Sequence, residues 1–155
     1  RGGFGTNLTY KGFDLSVLFT WQQGANKVDN LEFFLENPVG FLANGYNQSS
    51  DLKFWTQPGD VANVPSPLFG QNFSSKIIHD ASFVRLRDVV LSYTMPRDIL
   101  AKTKFISNAR FFVQGSNLFI WTKWRGRDPE AGATNINLSE FPNPRTFTAG
   151  IDITF

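Results

Sequence analysis

Apolar and polar residues alternate along five stretches of the chain. From Phe13 to Gln22, Phe13, Leu15, Val17, Phe19 and Trp21 share one parity. Asp14, Ser16, Thr20 and Gln22 share the other, with Leu18 the one exception. A repeat of two is the repeat of a β-strand, whose successive side chains leave on opposite faces. Just upstream, Phe4, Thr6, Leu8 and Tyr10 alternate with Gly5, Asn7 and Thr9, and Lys11-Gly12 lies between the two runs at hairpin spacing. Residues 83–94 alternate through Val89, Leu91 and Tyr93 against Asp88, Ser92 and Thr94. There the phase is broken by Arg85 and Arg87, which share parity with Val89, so either the arginines lie beyond the apolar band or a bulge shifts the register. Residues 110–118 place Phe111 and Val113 against Gln114 and Ser116. Last come Phe147, Ala149, Ile151, Ile153 and Phe155 against Thr146, Thr148, Gly150, Asp152 and Thr154. The expected strands are 3–10, 13–22, 83–94, 110–118 and 145–155.

Between them lie two long unpatterned segments, 23–81 and 120–144. The first is rich in Asn, Gln, Gly, Pro and Ser, with Phe33, Phe34, Phe41, Tyr46, Phe54, Trp55, Phe69 and Phe73 scattered through it. Val28 to Glu36 is a candidate short helix and Pro65-Ser66-Pro67 a stiff turn. Met95-Pro96 ends the third strand, since Pro donates no ladder hydrogen bond, and Arg97 to Lys104 reads as one or two polar helical turns. A structureless loop as long as 23–81 is out of place in a compact soluble domain. Connections that run short, long, short, long put Lys11-Gly12 and 95–109 on one rim and both long loops on the other. Short periplasmic turns and long external loops are the habit of outer-membrane barrels. A soluble β-sandwich also alternates, and a sandwich module that binds carbohydrate through exposed tryptophans is the competing reading. Against it stand strands of ten or more residues, where five or six are common, and polar faces of Ser, Thr, Asn, Gln and Gly with few charges.

Composition narrows the chemistry. The 155 residues include 17 Phe, 4 Trp and 3 Tyr, but no Cys, one Met and one His. No disulfide, thiolate nucleophile or cysteine zinc site is possible, and His79 is the sole imidazole. Lys and Arg exceed Asp and Glu by 15 to 13, with no basic run, so nucleic acid is not an expected partner. No stretch is apolar for long enough to form a transmembrane helix, which leaves open a crossing by strands of ~9–11 residues. Five strands cannot close a barrel, whose smallest members have about eight. The chain, which opens on Arg1-Gly2-Gly3 without Met, is therefore expected to be a piece of a larger wall.

Few residues invite a chemical role. Trp55, Trp121 and Trp124 are the candidate ligand or partner contacts, since flat rings stack on sugars and dominate interfaces. Girdle placement or loop packing is the alternative for each. Arg85, Arg87 and Asp88 suit an interior ion-pair ladder, and Asp14 and Asp152 should face a lumen, since a charge facing lipid at mid-depth costs a few kcal/mol. Asp128 and Glu130, separated by Pro129, look like turn chemistry or Ca²⁺-type oxygen ligands rather than a glycosidase pair. His79 lacks a positioned nucleophile and reads as a loop residue. Asn7, Asn47, Asn72 and Asn137 each open a sequon without meaning in a bacterial outer membrane. No catalytic, cofactor-binding or metal-binding residue is expected.

Four blocks of sequence stand out: Gly5-Thr6-Asn7-Leu8-Thr9-Tyr10-Lys11-Gly12-Phe13-Asp14-Leu15-Ser16, then residues 82–96 (SFVRLRDVVLSYTMP), then Asn117-Leu118-Phe119 with Trp121-Thr122-Lys123-Trp124 and Gly126-Arg127-Asp128-Pro129-Glu130, and finally Pro142-Asn143-Pro144-Arg145-Thr146-Phe147 through Phe155. In this order they resemble SusC/RagA-type TonB-dependent outer-membrane transporters of Bacteroidetes. Trp55-Thr56 also resembles a loop motif of the family, and Trp124 stands where Tyr is usual. The resemblance implies an all-β chain: about five C-terminal antiparallel strands of a large transmembrane β-barrel with two long extracellular loops. It further implies import of glycans or peptides, TonB acting through an N-terminal region that is absent here, a SusD-like surface lipoprotein and outer-membrane lipid around the wall. Phe147, Ile151, Ile153 and Phe155 resemble the C-terminal signal read by the barrel-assembly machinery, physically a strand addition to an open edge.

Overall fold

The computed structural model describes residues 1–37, 45, 47, 50–69, 73–103 and 105–155. Phe41, Tyr46, Asn72 and Lys104 lie outside the described residues. The chain divides into two compact units: residues 1–25, 82–123 and 143–155 form the first, and residues 26–81 and 124–142 the second.

The first unit is one antiparallel sheet of five strands, β1 (Gly2–Tyr10), β2 (Phe13–Gln22), β5 (Phe83–Thr94), β6 (Asn108–Thr122) and β8 (Thr146–Thr154), paired in that order. Each strand pairs with its sequence neighbour within the unit, so the sheet is a meander. Lys11 and Gly12 both have positive φ, 46° and 86°. That is the type I′ geometry that a two-residue hairpin favours, and Gly at the second position meets it without a Cβ clash. On the same rim, Met95-Pro96 leads into helix α2 (Arg97–Leu100) and a 3₁₀ turn (Ala101–Thr103), the polar helical turns expected there.

The phase break in β5 is a bulge. Leu18 pairs with Asp88 and Phe19 with Leu86, so Arg87 is the extra residue. The other neighbour shows the same jump, with Leu86 opposite Phe119 and Asp88 opposite Ser116. Arg85 therefore falls on the polar face opposite Thr20 and Ile120 and is 2% exposed, while Val89, Leu91 and Tyr93 stay with the apolar face. Across the bulge, Asn117 adopts φ +55°, a backbone that Asn tolerates better than other residues. Asn117 Oδ1 accepts from Arg87 Nη1 at 2.9 Å, and its Nδ2 donates to the carbonyl of Pro144 at 3.1 Å. One side chain thus ties β5, β6 and the approach to β8. This bulge also explains why β6 runs to Thr122 rather than stopping at residue 118: after the irregularity, Phe119 to Thr122 resume the ladder with β5.

All five strands put their apolar parity on one face, and within the described residues of this unit no second sheet lies over it. Phe13 is 50% exposed, Phe119 58% and Phe147 77%. A β-sandwich would bury this face, so the sandwich reading is set aside. The opposite face is mostly polar, with Leu18, Phe83, Val90, Phe112 and Ile120 as apolar exceptions, and two of these share a cause. Leu18 lies beside Gly5, and the Phe112 ring lies over Gly150, where an added methyl would stand 2.5 Å from the ring. In each case a large side chain covers backbone that a glycine on the paired strand leaves bare.

The second unit departs from the sequence expectation, because the long segments fold together. β3 (Asn26–Asp29) pairs antiparallel with β4 (Ile78–Asp80) and parallel with β7 (Ile136–Asn137). Helix α1 (Asn30–Leu35) follows β3, so the helix expected from Val28 to Glu36 starts later, its first residues being claimed by β3. Asp29 caps it, accepting from Glu32 N at 3.3 Å and from Asn137 Nδ2 at 3.0 Å. Lys27 is buried, with its ammonium donating to the carbonyls of Ala131 and, at 3.5 Å, Pro129. His79, expected in a loop, sits in β4 with its ring against the Glu32 carboxylate.

Asn117→Ala loses the left-handed tolerance and both side-chain bonds, for a destabilisation of ~2–4 kcal/mol. Asn117→Gly keeps the backbone ease and costs ~1–2 kcal/mol. Denaturant unfolding of the full-length protein in detergent micelles checks the order; equal losses would show that the backbone conformation is not at issue.

Candidate functional site

The apolar face is the largest functional surface of the sheet. Four inter-strand gaps of ~4.8 Å make it about 20 Å wide. From Phe13 to Trp21 along β2 is eight steps of ~3.3 Å, or ~26 Å along the strand and ~20 Å of thickness at a tilt of ~40°. Roughly 500 Å² of continuous apolar wall is as large as the largest patch on a typical soluble monomer. It is close in height to the ~25 Å apolar band of outer-membrane barrels.

Aromatic residues bracket this band. At the short-turn end, the register aligns Tyr10, Phe13, Tyr93 and Phe111 across four strands, with the Phe13 and Tyr93 rings 4.6 Å apart. At the other end, Trp21 and Trp121 flank Val84, and one step further in stand Phe4, Phe19 and Phe119. Phe4 stacks on Phe19 at 4.9 Å, and Trp121 lies 6.2 Å from Phe119 and 6.4 Å from Phe19. Amphipathic rings gather where hydrocarbon meets water, and a sheet bounded by two such rows has the girdle pattern of a membrane wall.

On the polar face Asp88 and Arg87 meet neutral side chains, and Arg110 pairs with Asp152. Asp88 accepts from Gln114 at 2.8 Å and Ser116 at 2.7 Å, and Arg87 also donates to Thr20 at 3.2 Å. Nearer the short-turn rim, Asp14 accepts from Thr9 at 2.6 Å, and Arg110 stands 3.5 Å from Asp152. Asn7, Thr9, Asp14, Ser16, Ser92 and Arg110 border a hollow of about 230 Å³ on this face. Asp14 and Asp152 thus project from the polar face, as their parity required.

The three candidate tryptophans separate by environment. Trp55 is 40% exposed, on a loop that the structure orders tightly. Trp55 N donates to Val64 O at 3.1 Å, Lys53 N to Asn63 Oδ1 at 2.7 Å, and Asn63 Nδ2 to Asp51 O at 2.9 Å. Next to Trp55, Asp60 accepts from the Thr56 hydroxyl and from the amides of Thr56 and Gln57. The Thr56 hydroxyl first, then those amides, hold the Asp60 carboxyl below the ordinary carboxylate range. With a depressed pKa the clasp is intact at neutral pH and is lost only as pH falls through the lowered value. Trp124, by contrast, is 6% exposed and packs its ring edge-on to His79 at 6.2 Å. Trp121 belongs to the first unit and to the apolar face.

Asp128 Oδ1 accepts from Glu130 N at 2.9 Å, an Asx turn rather than a pair of convergent carboxylates. Among the described residues no three His, Cys, Asp or Glu side chains cluster as metal ligands. Sequence reasoning passed over Lys27 and Asn117, whose partners are distant in the chain, and Asp60, whose clasp on Thr56 and Gln57 is local. Asp29 was passed over as well, although Asp-x-x-Glu ahead of an apolar run is a capping signal that could have found it.

Comparison with known proteins agrees with this geometry, although no family model matches the chain. TonB-dependent receptors P3 and P26 of Formosa agariphila are 31% and 33% identical over 99% of the chain, and the SusC receptor of Bacteroides thetaiotaomicron is 26% identical over 99%. The chain spans only 15–16% of these relatives' length. Among solved structures, the RagAB peptide importer in its closed-closed state superposes with a TM-score of 0.88 at 32% identity, and in its open-open state with 0.82 at 30%. Each match covers 99% of this chain and 17% of the importer chain. The five-stranded sheet is accordingly a fragment of a larger protein, and the chain fits a C-terminal β-barrel segment of a SusC/RagA-type TonB-dependent receptor.

Proposed function

We propose that this chain forms part of the wall of a TonB-dependent importer in a Gram-negative, Bacteroidetes-like outer membrane. The observation that carries this reading is the exposed apolar face of the sheet, bounded by two aromatic rows and backed by a polar face of few charges. The apolar face meets lipid, the polar face lines the lumen, and the 23–81 and 123–145 connections lie outside the cell. The wall performs no chemistry and needs no cofactor. TonB acts on other parts of the full-length protein, and a SusD-like lipoprotein covers the outer opening. The cargo is a glycan, an oligosaccharide or a peptide, the last supported by likeness to a peptide importer. The full-length protein should stay with the detergent-extracted outer membrane and show heat-modifiable migration on gels. Recovery as a detergent-free soluble monomer would overturn the proposal.

Trp55 is the ring we assign to ligand or lid contact, because it is half-open on an ordered loop and its presentation costs little entropy on binding. Trp55→Ala should lower cargo uptake by roughly two- to tenfold, the worth of one aromatic stacking contact, and Trp55→Phe should restore most of it. Uptake of labelled oligosaccharide and of labelled peptide by whole cells reads both effects, and no change for either variant removes Trp55 from the site.

Phe147, Ile151 and Ile153 share the apolar face of β8 and Phe155 continues their parity just past its end, in the alternate spacing that pockets of an assembly factor can read from a strand. Phe155→Ala should reduce outer-membrane abundance of the full-length protein at unchanged synthesis. Immunoblots of fractionated membranes measure it, and equal abundance would leave Phe155 as an interface anchor only.

A further inference from the structure

Arg145 sits on the apolar parity. Arg145 continues the series Phe147, Ala149, Ile151 and Ile153, and so lies on the face assigned to lipid. An arginine there costs ~2–4 kcal/mol at the bilayer midplane but ~0–1 at its edges, and Arg145 immediately precedes β8 at the long-loop end of the sheet. Its guanidinium stands 5.7 Å from the centroid of the Phe119 ring, which is itself exposed on the same face and stacked with Trp121. The backbone beneath it is fixed, because Pro144 O accepts from Asn117 across the bulge. Among the described residues no carboxylate forms an ion pair with Arg145.

We infer that Arg145, seated over Phe119 beside Trp121, is a binding site for the phosphate of an outer-leaflet lipid headgroup. The inference rests on the membrane-wall reading, which decides that this face meets lipid and that this end faces outward. A guanidinium offers paired donors in a fork that matches phosphate oxygens. The ring beneath keeps the stem flat along the wall and the charged head at the interface. No other acceptor competes for it within the described surroundings, and anionic headgroups are the abundant anions at that depth. The site would hold one lipid against the wall at the entry to β8, a boundary position whose occupancy does not depend on cargo.

The test uses full-length protein in detergent, first verified by heat-modifiable migration, so that failure of the wall reading is recognised separately. Native mass spectrometry then counts retained lipid in titrations with phosphorylated lipid A and with lipid A stripped of its phosphates. The phosphorylated form should be retained ~5-fold more strongly, the worth of one surface arginine near a headgroup. Arg145→Gln should abolish that preference, and Arg145→Lys should keep a reduced one. Equal retention of both lipids by the unaltered protein overturns the proposal, and so does an undiminished preference in Arg145→Gln. Displacement by inorganic phosphate at a concentration equal to that of the lipid would also overturn it, by showing a soluble-anion site. If Arg145→Gln fails to fold, the comparison of the two lipids on the unaltered protein and on Arg145→Lys decides alone.

Discussion

Hydrocarbon offers a peptide group no hydrogen-bond partner, and each unpaired group left there costs several kcal/mol. A strand in a membrane wall must therefore satisfy its backbone through its neighbours, and its side chains must separate by parity into those that meet lipid and those that do not. The five-stranded meander obeys both demands at once. Its ladders run nearly unbroken from β1 to β8, and the apolar parity of every strand falls on one face. Most other features are adjustments to that constraint.

The bulge at Arg87 is the clearest adjustment. A strict period of two would send Arg85 to the same side as Val89, a costly position for a charge in lipid. Inserting one unpaired residue flips the phase and returns Arg85 to the polar side. The partner strand must then accommodate the slip, and it does so with Asn117 in a left-handed conformation whose amide holds both Arg87 and the Pro144 carbonyl. Three of the sequence blocks that carry the family resemblance meet at this one side chain. Arg145 is a charge on the apolar parity as well, and it is tolerable because it comes where the strand leaves the band.

The long connections show a different economy. They are not structureless arcs; β3, β4 and β7 form a small sheet from both of them, with Lys27 reaching the carbonyls of Pro129 and Ala131. Asp29 caps α1 and binds Asn137, so a single carboxylate joins a helix start to the other segment. A surface built this way presents Trp55 from ordered backbone, while burying Trp124 in the same unit.

The strands, their faces and the hairpin at Lys11-Gly12 were legible in the sequence, because parity and turn chemistry are local properties of the chain. The phase break at Arg85 and Arg87 was legible as a problem with two solutions. Only pairing with β2 and β6 chose the bulge, since register is a relation between strands. The extension of β6 to Thr122, the placement of His79 in β4 and the clasp of Lys27 were hidden for the same reason: each depends on a partner far away in the chain. The three tryptophans could be named as candidates but not ranked, because exposure is decided by what packs around a ring. The sequence by itself determined a two-faced wall, through the alternation that lipid and water impose on a strand. The tertiary structure decided where that alternation slips and which loop residues are held together, because those depend on contacts the chain makes only after it has folded.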